Sequence, residues 1–399
     1  STWASACRQR RLLLEMVSID MFQNWNPPAH RHRLAFYGFR QGSGGISRVM
    51  LNLVNALAAC PIQIDLLLND TAIPELKLLA PGIQLVPLGL KTSLPGILAL
   101  GHYLDEARPD VVLTVRDRAN RRALLARRLF RIRTRIVMRV GINNSARFKR
   151  QAPLKRWRGI RRLRHAYHAN DLIIANSAGV REDVMRLTGL PPESVRLIPN
   201  TTLPPDIDHL AAEPVDHPWF NEPAVPVILG VGRLMRAKDF ETLIRATAIV
   251  RREVNCRLVI LGEGNQRDNL KRAAHQAGLG DAFDLPGFVP NVYPYMARAA
   301  LFVLSSAWEG SPNVLIEALA TGVPVVATDC PSGPREILAD GRYGPLVEVG
   351  DAALMGRRML LILRNPPDPA FIAEAAAPFQ ADINARRYLE VLGLEGCLA

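Results

Sequence analysis

The sequence is poor in cysteine, and its cysteines form no recognisable pattern. Five cysteines are spread over 399 residues, and no two of them have the spacing C-x-x-C. This arrangement predicts neither a zinc site nor a disulfide framework, and it favours a reducing cytoplasm as the compartment of the protein.

Long apolar runs are also missing. Hydrophobic residues make up 48% of the chain, but no run approaches the roughly 20 residues that a helix needs to span a bilayer. Residues 1–32 contain charges and three consecutive leucines, without an apolar segment that leads to a small-residue cleavage site. We therefore predict a loosely ordered N-terminal extension there and no signal peptide.

Acidic residues are scarce in one part of the chain. Between Arg116 and Arg164 the only acid is Asp117, and the formal net charge of the whole chain is +13. Such an excess of positive charge attracts phosphates, nucleic acid or an acidic membrane face. Nucleic acid is not expected, because the chain has no basic–aromatic stacking pattern and no known nucleic-acid module.

Apolar residues at helical spacing run through the end of this basic region, from Leu154 to Leu163, and arginines cover the rest of that helix. A helix of this kind can lie on an anionic bilayer. The alternative is that Trp157 packs in the core of the domain and does not face a membrane. The predicted membrane-facing residues are Arg156, Trp157, Arg158, Arg161 and Arg162.

Short apolar runs alternate with helical periodicity from about residue 33 onward, and a proline-rich segment divides this pattern into two series. The first series predicts a helix at Ile46–Ala59 and strands at Leu34–Gly38, Ile62–Leu67, Val111–Val115, Arg135–Val140, Leu172–Ala175 and Val195–Ile198. The segment Asn200–Glu222 has the composition of a linker. The second series predicts strands at Val225–Val231, Arg257–Leu261, Ala300–Leu304, Val323–Ala327 and Leu346–Val349, with helices at Phe240–Glu253, Gln266–Ala277, Val314–Ala320 and Ala352–Leu363.

Strand–helix alternation of this kind predicts an α/β fold built from doubly wound, mostly parallel sheets. We predict one Rossmann-like domain over residues 33–212 and a second one over residues 213–375. A C-terminal helix within residues 376–399 can pack back on the first domain.

One segment, from Trp308 to Gly322, combines a helix start with two carboxylates. Ser311 is predicted as the N-cap, Pro312 as the first helical residue and Gly322 as the residue just past the end. Backbone N–H groups at such a helix start suit a diphosphate. Glu309 lies before the helix and Glu317 about two turns into it, which suits a sugar nucleotide. Two incidental glutamates beside a buried helix are the alternative.

Two cations follow the first strand of the second series. Gly232 lets the backbone turn, and Arg233 and Lys238 lie in the loop after it, at the sheet edge where doubly wound folds bind ligands. Arginine by bidentate contact and lysine as a point charge can neutralise a diphosphate. Solvated surface cations are the alternative.

Other candidate motifs are weak. Gly44 and Gly45 precede the first helix and permit close approach of a ligand, but the strict dinucleotide and phosphate-loop patterns are absent. Asp206-Ile207-Asp208 lies in the predicted linker and not at the end of a strand, so we predict no metal site.

Together these residues resemble glycosyltransferase family 4, also called glycosyl transferases group 1, in its bacterial members. The resemblance covers nearly the whole chain from residue 33 onward. The matching pieces of the first half are Gly44-Gly45-Ile46, Ala175-Asn176-Ser177 and Ile198-Pro199-Asn200. Those of the second half are Gly232-Arg233, Lys238-Asp239-Phe240, Leu261-Gly262-Glu263-Gly264, Leu285-Pro286-Gly287-Phe288-Val289, Glu309 to Glu317, Pro324-Val325-Val326-Ala327-Thr328 and Cys330 to Leu338.

The resemblance implies a GT-B architecture, in which two Rossmann-like domains face each other across the active-site cleft. It places the acceptor on the first domain, residues 33–212, and the nucleotide sugar on the second, residues 213–375. It also implies sugar transfer from a nucleotide sugar with retention at the anomeric carbon and without an obligatory metal or cofactor. The implied catalytic residues are Arg233 and Lys238, on the donor diphosphate, and Glu309, on the donor sugar. The other implied donor-binding residues are Gly44, Gly45, Gly232, Gly262, Val289 near the base, Ser311, Pro312, Asn313 and Val314 near the phosphate and sugar, and Glu317 on the ribose.

One departure concerns the first domain. Many relatives carry a histidine just after the strand that corresponds to Arg135–Val140, whereas this chain continues Gly141-Ile142-Asn143-Asn144. Arg139, Asn143 and Asn144 are the candidate substitutes. The mechanism that the resemblance implies is a front-face displacement, in which the leaving phosphate helps to take the acceptor proton.

The functional hypothesis is a retaining hexosyltransferase of bacterial surface-glycan synthesis. It would use a UDP-sugar in preference to a GDP-sugar and a lipid-linked or oligosaccharide acceptor, such as a polyprenyl diphosphate, at the inner face of the cytoplasmic membrane. Two alternatives remain: a non-catalytic protein that binds polyanions or acidic lipid, and a nucleotide-sugar epimerase.

Overall fold

The computed structural model describes residues 32–39, 45–70, 73–89, 93–149, 151–222 and 224–395. The predicted extension over residues 1–32 therefore lies almost wholly outside the described residues. The first sheet is parallel and has the strand order β3-β2-β1-β4-β5-β6-β7. Its strands are β1 Arg33–Tyr37, β2 Gln63–Leu68, β3 Gln84–Pro87, β4 Val111–Thr114, β5 Arg135–Val140, β6 Leu172–Ala175 and β7 Val195–Leu197.

Helices cover both faces of this sheet, which is why its central strands are mainly apolar instead of alternating. Every residue of β1 and β4 is buried. The helices of this half are α1 Gly45–Ala58, α2 Ser93–Ala107, α3 Asp117–Phe130, α4 Asn144–Phe148, α5 Pro153–His168 and α6 Ala178–Thr188, with 3-10 turns at Pro74–Leu78 and Pro192–Ser194.

The second sheet is also parallel, with the order β10-β9-β8-β11-β12-β13. Its strands are β8 Val227–Val231, β9 Arg257–Leu261, β10 Phe283–Gly287, β11 Leu301–Leu304, β12 Val325–Thr328 and β13 Leu346–Val347. Its helices are α7 Ile207–Ala212, α8 Phe240–Val250, α9 Arg267–Gln276, α10 Tyr293–Arg298, α11 Asn313–Ala320, α12 Pro334–Ile337, α13 Ala352–Arg364 and α14 Pro369–Glu374, with 3-10 turns at Pro218–Phe220, Arg236–Lys238, Gly280–Ala282 and Ala377–Phe379. The predicted fold class, two doubly wound Rossmann-like sheets, is confirmed.

Every strand predicted from the sequence is present, and two further strands were missed. The missed strands, β3 and β10, are the outermost strands at one edge of each sheet. Both contain a proline, Pro87 and Pro286, which removes a backbone donor and breaks the apolar run. Edge strands tolerate proline because only one side of them pairs, so their sequences carry a weak strand signal.

The predicted linker is packed on the second domain. Leu203, Val215 and Phe220 are buried in the core beneath β8 and β11, and Asn291 next to α10 donates from Nδ2 to the carbonyl oxygen of Leu210 at 2.8 Å. One proline of this segment, Pro218, starts a helical turn at Pro218–Phe220. Proline density here therefore accompanies a segment that is anchored by apolar side chains.

The last helix, α15 Ala381–Leu392, returns to the first domain. It packs on α1, and Tyr388, Leu389 and Leu392 join the core formed by β1, β2 and β4. Arg135 of β5 donates to the carbonyl oxygen of Leu392 at 2.7 Å. The chain thus crosses between the two domains twice, once near Asn200 and once before α15.

Candidate active site in the cleft between the two sheets

The helix start after β11 lies one residue later than predicted. The carbonyl oxygen of Pro312 accepts from the amides of Leu315 and Ile316, and α11 runs over Asn313–Ala320. Pro312, not Ser311, is therefore the N-cap, because its extended backbone turns its carbonyl into the first helical bond. Gly322, with φ +74°, lies just past the end as predicted.

Glu317 lies closer to the helix start than predicted. It is the fifth residue of α11, so it lies little more than one turn from the helix start and not two. Its side chain is only 6% exposed. Burial raises the pKa of this carboxyl, and the nearby cations Arg48 and Lys238 oppose that rise.

Lys238 and Glu309 form an ion pair at the carboxyl edge of the second sheet. The Nζ of Lys238 lies 2.6 Å from Oε1 of Glu309, and the two side chains are 17% and 14% exposed. Ser306 donates from Oγ to the same Oε1 at 2.7 Å. The structure thus brings together two predicted catalytic residues that are 71 positions apart.

The neighbouring loops fix this pair. Ser305 donates from Oγ to the carbonyl oxygen of Lys238 at 2.8 Å, and the amide of Ala307 donates to the carbonyl oxygen of Ala237 at 2.8 Å. These loops follow β8 and β11, which are neighbours in the sheet although β9 and β10 lie between them in the chain. They therefore meet at the point where the strand order reverses, which is the usual ligand site of such folds.

Two predicted donor-binding glycines allow the loops to approach each other. A Cβ at Gly232 would lie 3.0 Å from Cε of Lys238, and a Cβ at Gly262 would lie 2.0 Å from the carbonyl oxygen of Gly232. Both have positive φ, +154° and +143°. Glycine is therefore required at Gly262 for the packing of the two loops, whether or not a ligand is bound.

The other cation is placed differently. Arg233 is exposed, and among the described residues its side chain has no hydrogen bond or ion pair. It lies in the same loop as Lys238 but outside the pair with Glu309. Its guanidinium is therefore available to a ligand at the rim of the cleft.

A buried thiol lies behind the pair, and the sequence analysis assigned no role to it. Cys330 is 3% exposed. Burial, and then the charge of Glu309, raise the pKa of this thiol to about 12. It is therefore a neutral packing group. Only its place in the matching run Cys330 to Leu338 drew attention to it.

The loops after β5 and β6 of the first domain meet this site with backbone and neutral side chains. A Cβ at Gly310 would lie 2.2 Å from the carbonyl oxygen of Gly141, and Ser177 donates from Oγ to the carbonyl oxygen of Gly310 at 3.0 Å. Asn143 caps α4 and donates from Nδ2 to Oγ of Ser332 at 3.1 Å. The segment that stands in place of the expected histidine is thus in contact with the second domain.

The three candidate substitutes for that histidine have different surroundings. Asn143 lies between the domains, as described above. Arg139 is 4% exposed and bonds to Asn200, whose Nδ2 donates to Oδ1 of Asn313 at 2.6 Å. Asn144 is 3% exposed, and its backbone amide donates to Asp183. The side chain of Asn144 bonds to Tyr167 in the first domain, so the structure turns it away from the cleft.

The remaining predicted contacts surround this centre. Gly45 begins α1, whereas Gly44 lies outside the described residues. Val289 packs partly buried on the second core. Ser311 and Val314 are half-buried at the start of α11. Among the described residues no group of three or more His, Cys, Asp or Glu side chains is arranged to hold a metal.

Sequence reasoning missed Arg48. It lies on α1, and its Nη1 is 3.8 Å from Oε1 of Glu317, across the cleft. Its Nη2 also donates to the carbonyl oxygen of Pro290 at 2.7 Å. The only sequence signal was its position just after the glycines, because contacts between residues 242 positions apart leave no local pattern.

The arginine-rich helix α5 is exposed along much of its length. Trp157 is 57% and Leu154 is 60% exposed, while Leu163 and Tyr167 face the core. The predicted core alternative for Trp157 is therefore wrong, and the cation of Arg161 lies 5.6 Å from its ring centroid. A groove of about 930 Å³ separates α5 from α3, with Arg121, Arg128, Arg158, Arg161 and Arg162 along it.

Within the described ranges, none of the helices combines the length and the apolar composition that crossing a bilayer requires.

Comparison with known proteins agrees with this architecture. The sequence pattern of the Glycosyltransferase Family 4 domain matches residues 43–202, and that of Glycosyl transferases group 1 matches residues 217–378. Together the two patterns cover most of the chain, and residues 203–216, in the segment between the sheets, lie between them.

Characterised relatives match about half of this chain. The chain is 35% identical, over 50% of its length, to the N-acetylgalactosamine-N,N'-diacetylbacillosaminyl-diphospho-undecaprenol 4-alpha-N-acetylgalactosaminyltransferase of Campylobacter jejuni, and covers 52% of that protein. It is 36% identical, over 51% of its length, to the lipopolysaccharide core biosynthesis glycosyltransferase LpsE of Rhizobium meliloti, and covers 57% of it. The chain thus spans little more than half the length of these relatives.

Solved structures match nearly the whole fold at low identity. The lipopolysaccharide outer core galactosyltransferase WaaB superposes with a TM-score of 0.68 at 20% identity, over 90% of this chain and 99% of that one. HepE of Anabaena, in complex with UDP-glucose, superposes with a TM-score of 0.72 at 19% identity, over 91% of this chain and 100% of that one. The chain belongs to the glycosyltransferases of family 4 and group 1, and its two facing parallel-sheet domains have the GT-B architecture.

Proposed function

We propose that this chain is a retaining, metal-independent hexosyltransferase of bacterial surface-glycan synthesis. It transfers a sugar from a nucleotide sugar, UDP-linked in preference to GDP-linked, to a lipid-linked or oligosaccharide acceptor. The observation that carries this proposal is the Lys238–Glu309 pair at the switch point of the second sheet, held at 2.6 Å beside the start of α11.

Glu309 and Lys238 can contact the two groups joined by the bond that breaks, the donor sugar and the diphosphate. Among the described residues, the contacts of the Glu309 carboxylate with Lys238 and Ser306 both go to Oε1, which leaves Oε2 for a sugar hydroxyl. Lys238 and the exposed Arg233 would bind the diphosphate, with the backbone at Ser311 to Val314. Cations held in place before the reaction stabilise the charge that develops on a leaving phosphate.

The proposed reaction is a front-face displacement. The bond between the anomeric carbon and the diphosphate oxygen breaks, and the acceptor oxygen bonds to the same face of that carbon. The acceptor proton passes to the departing phosphate oxygen. Glu317 would accept from the ribose hydroxyls, and Val289 would lie by the base.

The names of similar proteins support the substrates. The Campylobacter jejuni relative is named for a diphospho-undecaprenol acceptor, and HepE was solved with UDP-glucose. Asn143, which contacts the second domain, is the best placed of the three substitutes for the missing histidine. No obligatory cofactor is proposed.

We also propose that the chain works at the inner face of the cytoplasmic membrane. The exposed face of α5, with Arg156, Trp157, Arg158, Arg161 and Arg162, supports this location. Arginines with a neighbouring tryptophan suit an anionic headgroup region.

A donor screen tests the activity. The thermal unfolding midpoint is measured with UDP, GDP and their sugars, and product formation is then followed with the stabilising donor and a lipid-diphosphate sugar acceptor. We expect UDP-sugars to raise the midpoint most and the product to keep the donor's anomeric configuration. A chain that no nucleotide stabilises would contradict the proposal.

Two other outcomes identify the alternatives. Salt-sensitive binding to any polyanion, without turnover, would indicate an anion-binding protein, which the arginine-lined groove between α3 and α5 favours. A new nucleotide sugar formed without acceptor would indicate an epimerase.

A further inference from the structure

One arginine of the first domain reaches into the second domain beside the proposed nucleotide site. Arg48 lies in the first turn of α1, three residues after Gly45. Its Nη2 donates to the carbonyl oxygen of Pro290 at 2.7 Å, and its Nη1 lies 3.8 Å from Oε1 of Glu317. One side chain therefore touches both the loop after β10 and the carboxylate of α11.

The carboxylate that Arg48 faces is unusual. The Glu317 side chain is 6% exposed, and among the described residues its only close charged partner is Arg48. The carboxylate accepts no hydrogen bond from the described residues. A buried carboxylate normally has both a countercharge and hydrogen-bond donors. Arg48 supplies the countercharge but donates no hydrogen bond to the Glu317 carboxylate. The carboxylate oxygens can therefore accept from two neighbouring hydroxyls of a ligand.

The other groups around Glu317 do not replace Arg48. Burial raises the pKa of Glu317, and of the two cations that oppose this rise, Arg48 has the larger effect and Lys238 the smaller. Tyr293, next to Glu317, stays a neutral phenol because burial and the charge of Glu317 raise its pKa. Lys238 is already paired with Glu309 at 2.6 Å. Arg48 is therefore the principal countercharge.

Arg48 can make these contacts only while the two domains are together, because it is carried by the first domain and both partners belong to the second. The loop that it holds, at Pro290, follows Val289, which is proposed to lie by the base. The carboxylate that it holds is proposed to bind the ribose.

We propose that Arg48 is a positioning residue for the nucleoside of the donor, which couples domain closure to nucleoside binding. It keeps the Glu317 carboxylate charged and in place, and it fixes the loop at Pro290 against it. This inference rests on the proposed function, and Arg48 acts through Glu317 instead of touching the reacting atoms.

A double-mutant cycle with UDP as the probe tests the inference. Binding of UDP is measured by calorimetry for the unchanged chain, Arg48→Ala, Glu317→Gln and the double variant. We expect Arg48→Ala to weaken UDP binding about tenfold in the unchanged background and to change it little in the Glu317→Gln background, because coupled residues are not additive. In turnover, KM for the donor should rise more than kcat falls.

Two further variants complete the design. Arg48→Lys keeps the charge but cannot hold two partners with one planar fork, so it should recover part of the affinity. If Arg48→Ala does not fold, Arg48→Lys replaces it in the double-mutant cycle. Arg357→Ala removes an exposed arginine of α13 and should bind UDP as the unchanged chain does.

The outcomes separate this inference from the proposed function. Unchanged or tighter UDP binding by Arg48→Ala, or additive effects in the cycle, would overturn the role of Arg48 and leave the transferase proposal intact. An unchanged chain that binds neither UDP nor GDP would overturn both.

Discussion

The two walls of the cleft are built from different chemistry. The second wall, formed by Gly232–Lys238 and Ser305–Asn313, carries the ion pair Lys238–Glu309 and the exposed Arg233. The first wall, formed by Gly141–Asn144 and Asn176–Ala178, contacts the second domain through neutral groups. A backbone carbonyl and a hydroxyl meet Gly310, an amide side chain meets Ser332, and the backbone amide of Ala178 donates to Glu336. The charges that would bind a donor thus lie mainly on one domain, and the other domain contributes closure.

This division has a physical reason. Charged groups that must act on one diphosphate are best held on a single rigid sheet edge, because their spacing then does not change when the domains move. Neutral groups suit the first domain's side of a surface that closes and opens, because that domain is left with no unpaired charge when the contacts break. Arg48 is the exception. Among the described residues, its ion pair with Glu317 is the only one that crosses from the first domain to the second.

The largest expected effect lies on the second wall. Lys238→Ala removes the cation next to the proposed leaving group and leaves Glu309 without its partner, so kcat should fall about 10²- to 10³-fold. Initial rates at saturating donor check this. Lys271→Ala, an exposed lysine of α9, is the control, and wild-type rates in Lys238→Ala would refute the assigned role.

A smaller effect is expected where the walls touch. In Gly310→Ala the new Cβ would lie 2.2 Å from the carbonyl oxygen of Gly141 in the other domain. The walls then cannot approach to the same distance, and kcat/KM should fall about 10- to 100-fold with little change in the unfolding temperature.

Gly262→Ala is the matched comparison for the Gly310 variant. Its Cβ would lie 2.0 Å from the carbonyl oxygen of Gly232, inside the second domain, at a position with φ +143°. It should lower the free energy of unfolding by about 1–3 kcal/mol. Full activity in Gly310→Ala would show that catalysis does not need the walls in contact.

The exposed arginines of α5 lie on the outer surface of the first domain, away from the cleft, and are expected to act on membrane binding. Reversing Arg158 and Arg161 to Glu should weaken binding to anionic vesicles by about 1 kcal/mol or more for each arginine. Flotation with neutral and anionic liposomes measures this. The control reverses Arg357 and Arg358, two exposed arginines of the second domain. Equal recovery of the unchanged chain with both vesicle types would argue against charge-driven docking.

The smallest effect concerns the dependence of stability on pH. The pKa of Glu317 is raised in the folded protein, chiefly by burial. The folded state therefore binds more protons than the unfolded state between the ordinary carboxyl pKa and the raised one, and stability falls as pH rises through that window. Glu317→Gln should lose this part of the pH dependence.

Thermal unfolding between pH 4 and pH 8 checks this difference, with Glu348→Gln, an exposed carboxyl, as control. Parallel curves for the unchanged chain and Glu317→Gln would indicate that burial within α11 does not desolvate the carboxyl.

Local sequence determined most of the fold. The buried central strands, such as Arg135–Val140 and Arg257–Leu261, have the bounds that their apolar runs predict. The edge strands β3 and β10 were missed because proline and a single pairing side weaken their pattern. The N-cap of α11 was misplaced by one residue, since Ser311 is the better capping side chain but the backbone of Pro312 makes the turn.

The sequence by itself determined the residue types of the second wall, the family and the doubly wound sheets. These follow from short motifs and from periodicity, which depend on neighbours in the chain. Only the tertiary structure decided that Arg48 faces Glu317, that Gly141 lies against Gly310 and that Asn144 turns into the first domain. Such contacts depend on how two separately folded sheets approach each other, and no local pattern of residues encodes that distance.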